Sequence, residues 1–191
     1  GVDTEVTVVK DTEPPVITGV TEQTIPAGTS VSYKRGVTVT DNHDEDVQIV
    51  IDNSEVNLDE VGDYTVRYLA TDKAGNTTEV ITVLHVEPPS AENATEELVN
   101  KMADEVLAEI LTEDMTEYEK AEAIFWWVHD IHYKNGTPKT NWVQGAYHGL
   151  AEYSGDCFVY AMTAKCLLTR AGIKNMDIEK IPAYTSHYWT L

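Results

Sequence analysis

Gly62-Asp63-Tyr64-Thr65-Val66-Arg67-Tyr68-Leu69-Ala70-Thr71-Asp72-Lys73-Ala74-Gly75-Asn76 is the stretch on which the reading of this chain turns. Tyr64, Val66, Tyr68 and Ala70 fall on one face, and Thr65, Arg67, Leu69 and Thr71 on the other. Successive side chains of an extended backbone point to opposite sides, so strict alternation marks a half-buried strand. Gly62-Asp63 opens the strand as a turn. Ala74-Gly75-Asn76 closes it, and Thr78 to Val86 is the returning strand. Upstream, Val37 and Val39 alternate with Thr38 and Thr40, and Val47, Ile49 and Ile51 follow. Short strands at this spacing predict a small sandwich.

A repeat runs through the same region. Thr4-Glu5-Val6 returns as Thr78-Glu79-Val80 and Glu13-Pro14-Pro15 as Glu87-Pro88-Pro89, both displaced by the same interval. Residues 1–11 are therefore either the last strand of a preceding copy or a first strand of this one. The sandwich spans 12–86. Glu87-Pro88-Pro89-Ser90 opens a stiff extended linker over 87–93.

Four segments resemble the bacterial immunoglobulin-like surface modules: Pro15-Val16-Ile17, Val39-Thr40-Asp41-Asn42, Gly62 to Tyr68, and Thr71-Asp72-Lys73-Ala74-Gly75-Asn76. The resemblance covers about residues 12–86. It implies a spacer or adhesive unit on a secreted or wall-attached protein.

Beyond the double proline the composition changes to Ala, Glu, Leu and aromatics. Leu98, Val99, Met102, Val106 and Ile110 recur at helical spacing. Thr116-Glu117-Tyr118-Glu119 is a capping box opening a second helix. That helix carries an apolar stripe of Ala121, Ile124, Phe125, Val128 and Ile131, with Trp126 and Trp127 expected to pack against its neighbours. A third helix starts near Cys157 and ends at Ala171-Gly172, and strands are expected at Met176-Asp177-Ile178 and from His187 to Leu191.

The 191 residues hold 13 basic and 33 acidic side chains, a net charge of −20. A surface this acidic repels phosphate, which excludes nucleic acid and anionic lipid as partners. No stretch reaches the ~18–20 apolar residues of a membrane helix. The start, Gly1-Val2-Asp3, lacks the basic and apolar regions of a signal peptide, so such a peptide is expected to be already removed or the chain to be a fragment.

Two cysteines, Cys157 and Cys166, stand close together in the sequence. On one helix their separation is roughly 13 Å, too far for a disulfide. Cys157 follows Ser154-Gly155-Asp156 at a helix N-terminus, where unpaired N–H groups and the helix dipole stabilise a thiolate and could form half an oxyanion hole. The alternative is a small buried helical cysteine. Cys166 lies deep in the same helix and reads as core. His187, well downstream of Cys157, lies in a strand-like run and could act as the base a nucleophilic thiol needs, or be structural.

Gly155-Asp156-Cys157-Phe158-Val159-Tyr160-Ala161, Leu167-Leu168, Ala171-Gly172-Ile173 and His187-Tyr188-Trp189 together resemble the core of the transglutaminase-like superfamily. The segment Lys120-Ala121 to His132-Tyr133 is similar to the helix that precedes the active-site region in that family. Ala146-Tyr147 and Gly149-Leu150 suit the approach to the cysteine helix. The resemblance covers about residues 94–191. It implies an α+β papain-like fold, with the cysteine helix packed on an antiparallel sheet, and a Cys-His-Asp triad. Cys157 maps to the nucleophile and His187 to the base. The family places the aspartate on the strand after the histidine, and the sequence stops at Leu191, so no residue here fills that place. Asp177 precedes the histidine and does not match the order. The second domain is accordingly expected to be C-terminally incomplete.

Trp142, upstream of Cys157, is a candidate second oxyanion donor through its indole N–H, or a groove-lining aromatic; Gln144 is a weaker candidate for the same role. His129 and His132 read as i and i+3 on one helix, and with no HExxH pattern they suit an exposed face better than zinc. Asp41-Asn42-His43-Asp44-Glu45-Asp46 could hold calcium, yet Asp46 stands where an EF-hand wants glycine and Asp52 where it wants glutamate, so it reads as a solvated acidic turn.

The expectation is a multidomain fold: an all-β immunoglobulin-like sandwich, then an α+β transglutaminase-like domain. The protein is expected on the surface of a Gram-positive bacterium or secreted from one, as a thiol acyltransferase or peptidase. Its expected partner is a protein or peptide substrate, cell-wall associated or free. No metal and no cofactor are expected. The rival expectations are an inactive scaffold of the same fold, and an adhesin in which the sandwich does the binding.

Overall fold

The structure is a computed structural model that describes residues 10–179 and 188–190. The chain forms two compact units, Gly1–Glu87 and Pro88–Leu191.

The first unit is β-rich. The decisive stretch becomes β5, Gly62–Thr71, paired antiparallel with β6, Thr77–Glu87, over its whole length. The alternation appears directly in burial: Val66, Tyr68 and Ala70 are at most 1% exposed, while Leu69 is 41% exposed. β4, Gln48–Asp52, pairs antiparallel with β5. β2, Gln23–Pro26, runs parallel to the end of β6, giving a sheet of order β2-β6-β5-β4. Nothing in the sequence pattern had marked β2. It is a short edge strand, and Pro26 stands at its last position, where the missing N–H is tolerated. β1, Val16–Thr18, and β3, Thr38–Thr40, form a separate antiparallel pair.

The core comprises Val66, Tyr68, Leu84 and Val86, with Ile17, Ile25 and Val37 packed against it. Each such side chain withdrawn from water contributes roughly 1.5–3 kcal/mol. Tyr68 is 1% exposed and donates its hydroxyl to the Tyr33 carbonyl at 2.8 Å, which is how a buried phenol stays satisfied. Most of residues 1–11, the expected repeat strand, lies outside the described residues.

The second unit contains four helices among the described residues. α1 is Glu96–Ile110, α2 Glu117–His129, α3 Trp142–Ala151 and α4 Cys157–Arg170. The Thr116/Glu119 capping box is formed in both directions. The core joins Val99 and Ala103 of α1, Ile124 of α2, Ala146 of α3 and Leu167 of α4. Short pairs complete it: parallel β7 (His132–Tyr133) with β8 (Ser154–Gly155), and antiparallel β9 (Asp177–Glu179) with β10 (Tyr188–Thr190). The backbone of β10 runs beside α4.

The structure corrects several expectations. Residues 88–93, within the stretch expected as a stiff linker, are fastened to the helical unit. Ala91 packs on the helical core, Tyr147 donates its hydroxyl to the Pro89 carbonyl at 2.9 Å, and the Asn93 amide donates to the Pro88 carbonyl at 3.0 Å. Phe125 and Trp126 were expected to pack inward and are 57% and 55% exposed. They stack on each other and on His129, while Trp127 turns to the core and meets Tyr153 edge to face. His132 is not on the helix of His129: α2 ends there with Asp130 as its C-cap, and His132 starts β7. Met176 precedes β9 rather than belonging to it.

Candidate active site

α4 begins at Cys157 because Asp156 is its N-cap. The Asp156 carboxylate accepts from the Phe158 and Val159 N–H groups at 3.1 and 3.4 Å. Asp156 is only 8% exposed, and a buried carboxylate needs a partner. Lys139 supplies it through an ion pair with Oδ2, while its ammonium also donates to the Thr137 carbonyl at 3.2 Å and lies 5.6 Å from the Phe158 ring centroid. The charge of the cap is thus balanced locally by Lys139.

The approach to Cys157 is held from the other side. Tyr153 has φ of 50°, a left-handed conformation that L side chains rarely adopt and that costs about 1 kcal/mol or more. Packing fixes it there: its hydroxyl donates to the Trp127 carbonyl at 3.3 Å, and its own carbonyl accepts from His132 N–H at 3.0 Å. Lys134 N–H donates to the Gly155 carbonyl at 2.9 Å. The β7–β8 pair therefore fixes the backbone just ahead of the thiol.

α3 approaches α4 at glycine positions. A Cβ on Gly149 would lie 1.9 Å from Thr163 Oγ1, and one on Gly145 2.7 Å from the Phe158 ring. α3 had not been foreseen as a helix, because its small residues dilute its apolar stripe; close packing on α4 is what those residues serve.

The two cysteines are both free thiols in unlike surroundings. Cys157 is partly exposed. Cys166 is 3% exposed, its sulfur 3.8 Å from the Val99 carbonyl, and burial pushes its thiol up to about 11.

His187, the expected base, lies outside the described residues. Trp142 is the first residue of α3 and lines a cavity of about 530 Å³ with Glu96, Asn100, Lys165 and Cys166; Cys157 does not line it. The Gln144 Oε1 accepts from Thr140 N–H at 2.7 Å, so that amide serves the α3 N-terminus. Asp177 is ion-paired with Lys165.

Sequence reasoning passed over Lys139 and His148. His148 is 6% exposed, with Nε2 2.9 Å from the Pro138 carbonyl. Its Nδ1 stands 2.9 Å from Glu152 Oε2 but out of line for a hydrogen bond. Both residues hold the 134–141 loop against α3 and α4. The only local signal was the i, i+4 spacing of His148 and Glu152.

The family described as bacterial surface protein, Ig-like domain, matches residues 15–86. Residues 15–86 thus match an Ig-like surface module, and no helix among the described residues is long and apolar enough to cross a membrane. No curated protein matches the chain. Among solved structures, it is similar to one of a CBM51-2 in complex with GlcNAc and INT domains from Clostridium perfringens ZmpB, at 29% identity and a TM-score of 0.32, covering 39% of this chain and 17% of that one. It is also similar to the lipoprotein BT2262 from Bacteroides thetaiotaomicron, at 18% identity and a TM-score of 0.31, covering 40% of this chain and 39% of that one.

Proposed function

We propose that residues 94–191 are a transglutaminase-like thiol acyl-transfer domain, carried on a bacterial surface by the Ig-like module. The observation that carries the reading is the position of Cys157: first residue of a capped helix, partly exposed, in a chain whose other cysteine is buried. The ordered motifs around Cys157 and His187 support it.

In the proposed reaction His187 takes the thiol proton and the Cys157 sulfur attacks a carboxamide or peptide carbonyl. The Cys157 backbone N–H stabilises the oxyanion, since the Asp156 cap takes up the Phe158 and Val159 N–H groups. The C–N bond breaks, the leaving nitrogen takes the proton from the imidazolium, and a thioester remains. An amine then displaces the sulfur to give a cross-link, or water does so to give a carboxylate.

The test incubates the chain with a glutamine-bearing peptide and a fluorescent primary amine. The expected result is amine incorporation or deamidation that Cys157→Ser and His187→Ala each abolish. Iodoacetamide labelling runs alongside on the same protein. An unmodified peptide together with Cys157 labelling no faster than Cys166 near neutral pH would sink the reading and leave the scaffold alternative.

A further inference from the structure

The loop end of the Ig-like unit gathers three carboxylates from distant parts of the sequence. Asp11 precedes β1, Asp41 follows β3 and Asp72 follows β5. One oxygen of each lies within 4.8 Å of the others. Asp72 is 6% exposed, and both its oxygens are held by Asn76, the backbone N–H on Oδ1 and the side-chain amide on Oδ2, each at 2.7 Å. The same amide donates to the Asp11 and Glu13 carbonyls at 3.4 and 3.3 Å, which brings the segment before β1 onto the turn.

Two oxygens are left over. Asp41 Oδ1 accepts from the His43 and Asp44 N–H groups, both at 2.9 Å, and Asp11 Oδ1 accepts from Glu13 N–H at 3.1 Å. The Oδ2 atoms of Asp11 and Asp41 are closed off from solvent and have no hydrogen-bond partner. Among the described residues, none of the three aspartates forms an ion pair. The nearby ammonium of Lys73 is committed to Asp44, at 3.2 Å. A buried carboxylate oxygen without a donor is costly, and three carboxylates gathered this closely also repel.

We propose that Asp11, Asp41 and Asp72 bind a hard divalent cation, with calcium the fitting ion. All the donors are oxygen, which selects against zinc and the softer metals. Calcium takes oxygens at about 2.3–2.6 Å in flexible geometry, so three oxygens with this spacing can surround one ion. The ion would neutralise the orphaned oxygens and tie three loops together, pinning the segment that leads into β1. The site departs from the expectation of no metal, and it uses only one residue of the 41–46 run.

Calorimetric titration of the chelator-treated full chain with calcium chloride tests this. The expected result is one ion per chain, with the melting temperature of the β-rich unit rising by roughly 5 °C at saturation. Asp41→Asn and Asp11→Asn should each weaken calcium binding at least about tenfold, as expected when a charged ligand is lost, with the far-UV strand signal retained. Asp11 precedes every strand among the described residues, so its variant keeps the test open should Asp41→Asn fail to fold. No heat and no thermal shift in the unsubstituted chain would overturn the proposal, as would calcium affinity unchanged in both variants. Magnesium binding as tightly as calcium would overturn the choice of ion.

Discussion

The two ends of α4 carry the same residue type in unlike states. At the start, Cys157 is partly exposed behind an aspartate cap and a neutralising lysine. Further along the helix, Cys166 is sealed between α4 and α1, and Arg170 closes that end with a two-pronged pair to Asp104 at 2.8 and 2.6 Å. A cysteine becomes available for chemistry through where its helix begins and which neighbour covers it, and residue type alone says neither.

The largest test of this contrast is the pH dependence of labelling. Burial moves the Cys166 thiol from 9.0 up to about 11. It should therefore present about 100-fold less thiolate than an ordinary thiol near neutral pH. Its iodoacetamide rate, followed by peptide mass mapping, should climb about tenfold per pH unit until pH 11 is approached. A Cys166 rate already flat by pH 9 would erase the distinction.

Next comes the cap. Asp156→Ala removes the α4 N-cap and strands Lys139, whose side chain is 21% exposed. The expected loss is about 2 kcal/mol in denaturant unfolding, against about 1 kcal/mol for Thr116→Ala at the exposed α2 cap. Equal losses would show that the Lys139 pair adds nothing.

The smallest effect belongs to the far end. The side chains of Arg170 and Asp104 are 42% and 48% exposed, so Arg170→Ala should cost no more than about 1 kcal/mol, and less at high salt. A larger, salt-independent loss would mean that the arginine stem also shields Cys166, which faster labelling of that thiol in the variant would reveal.

What was legible in the sequence followed local physics. Alternation in β5, the capping box at Thr116 and the helix start at Cys157 each depend on residues within a few positions of one another. Elements with non-local causes were not legible. β2 is a strand because β6 lies beside it. Gly145 and Gly149 leave the space that α4 fills, and that need arises only in the folded chain. Phe125 belonged to the apolar stripe and Trp126 was expected to pack on the neighbouring elements, yet both remain more than half exposed. The 41–46 run read as a solvated turn, but the Asp44 side chain is only 9% exposed, held by the Lys73 N–H first and its ammonium second, both of which keep its carboxyl below the ordinary range. Asp41 meets partners that lie far from it in the sequence, Asp11 before it and Asp72 after it.

By itself the sequence determined the division into a β-rich and a helical part, the core face of the longest hairpin, and the single cysteine that stands at a helix start. Periodicity and capping act over one or two turns of chain, so they can be read without coordinates. Only the tertiary structure decided which carboxylates meet, that Lys139 answers Asp156, and that Cys166 is sealed. Those outcomes depend on burial and on charges brought together from distant positions, and burial belongs to the folded chain rather than to any segment of it.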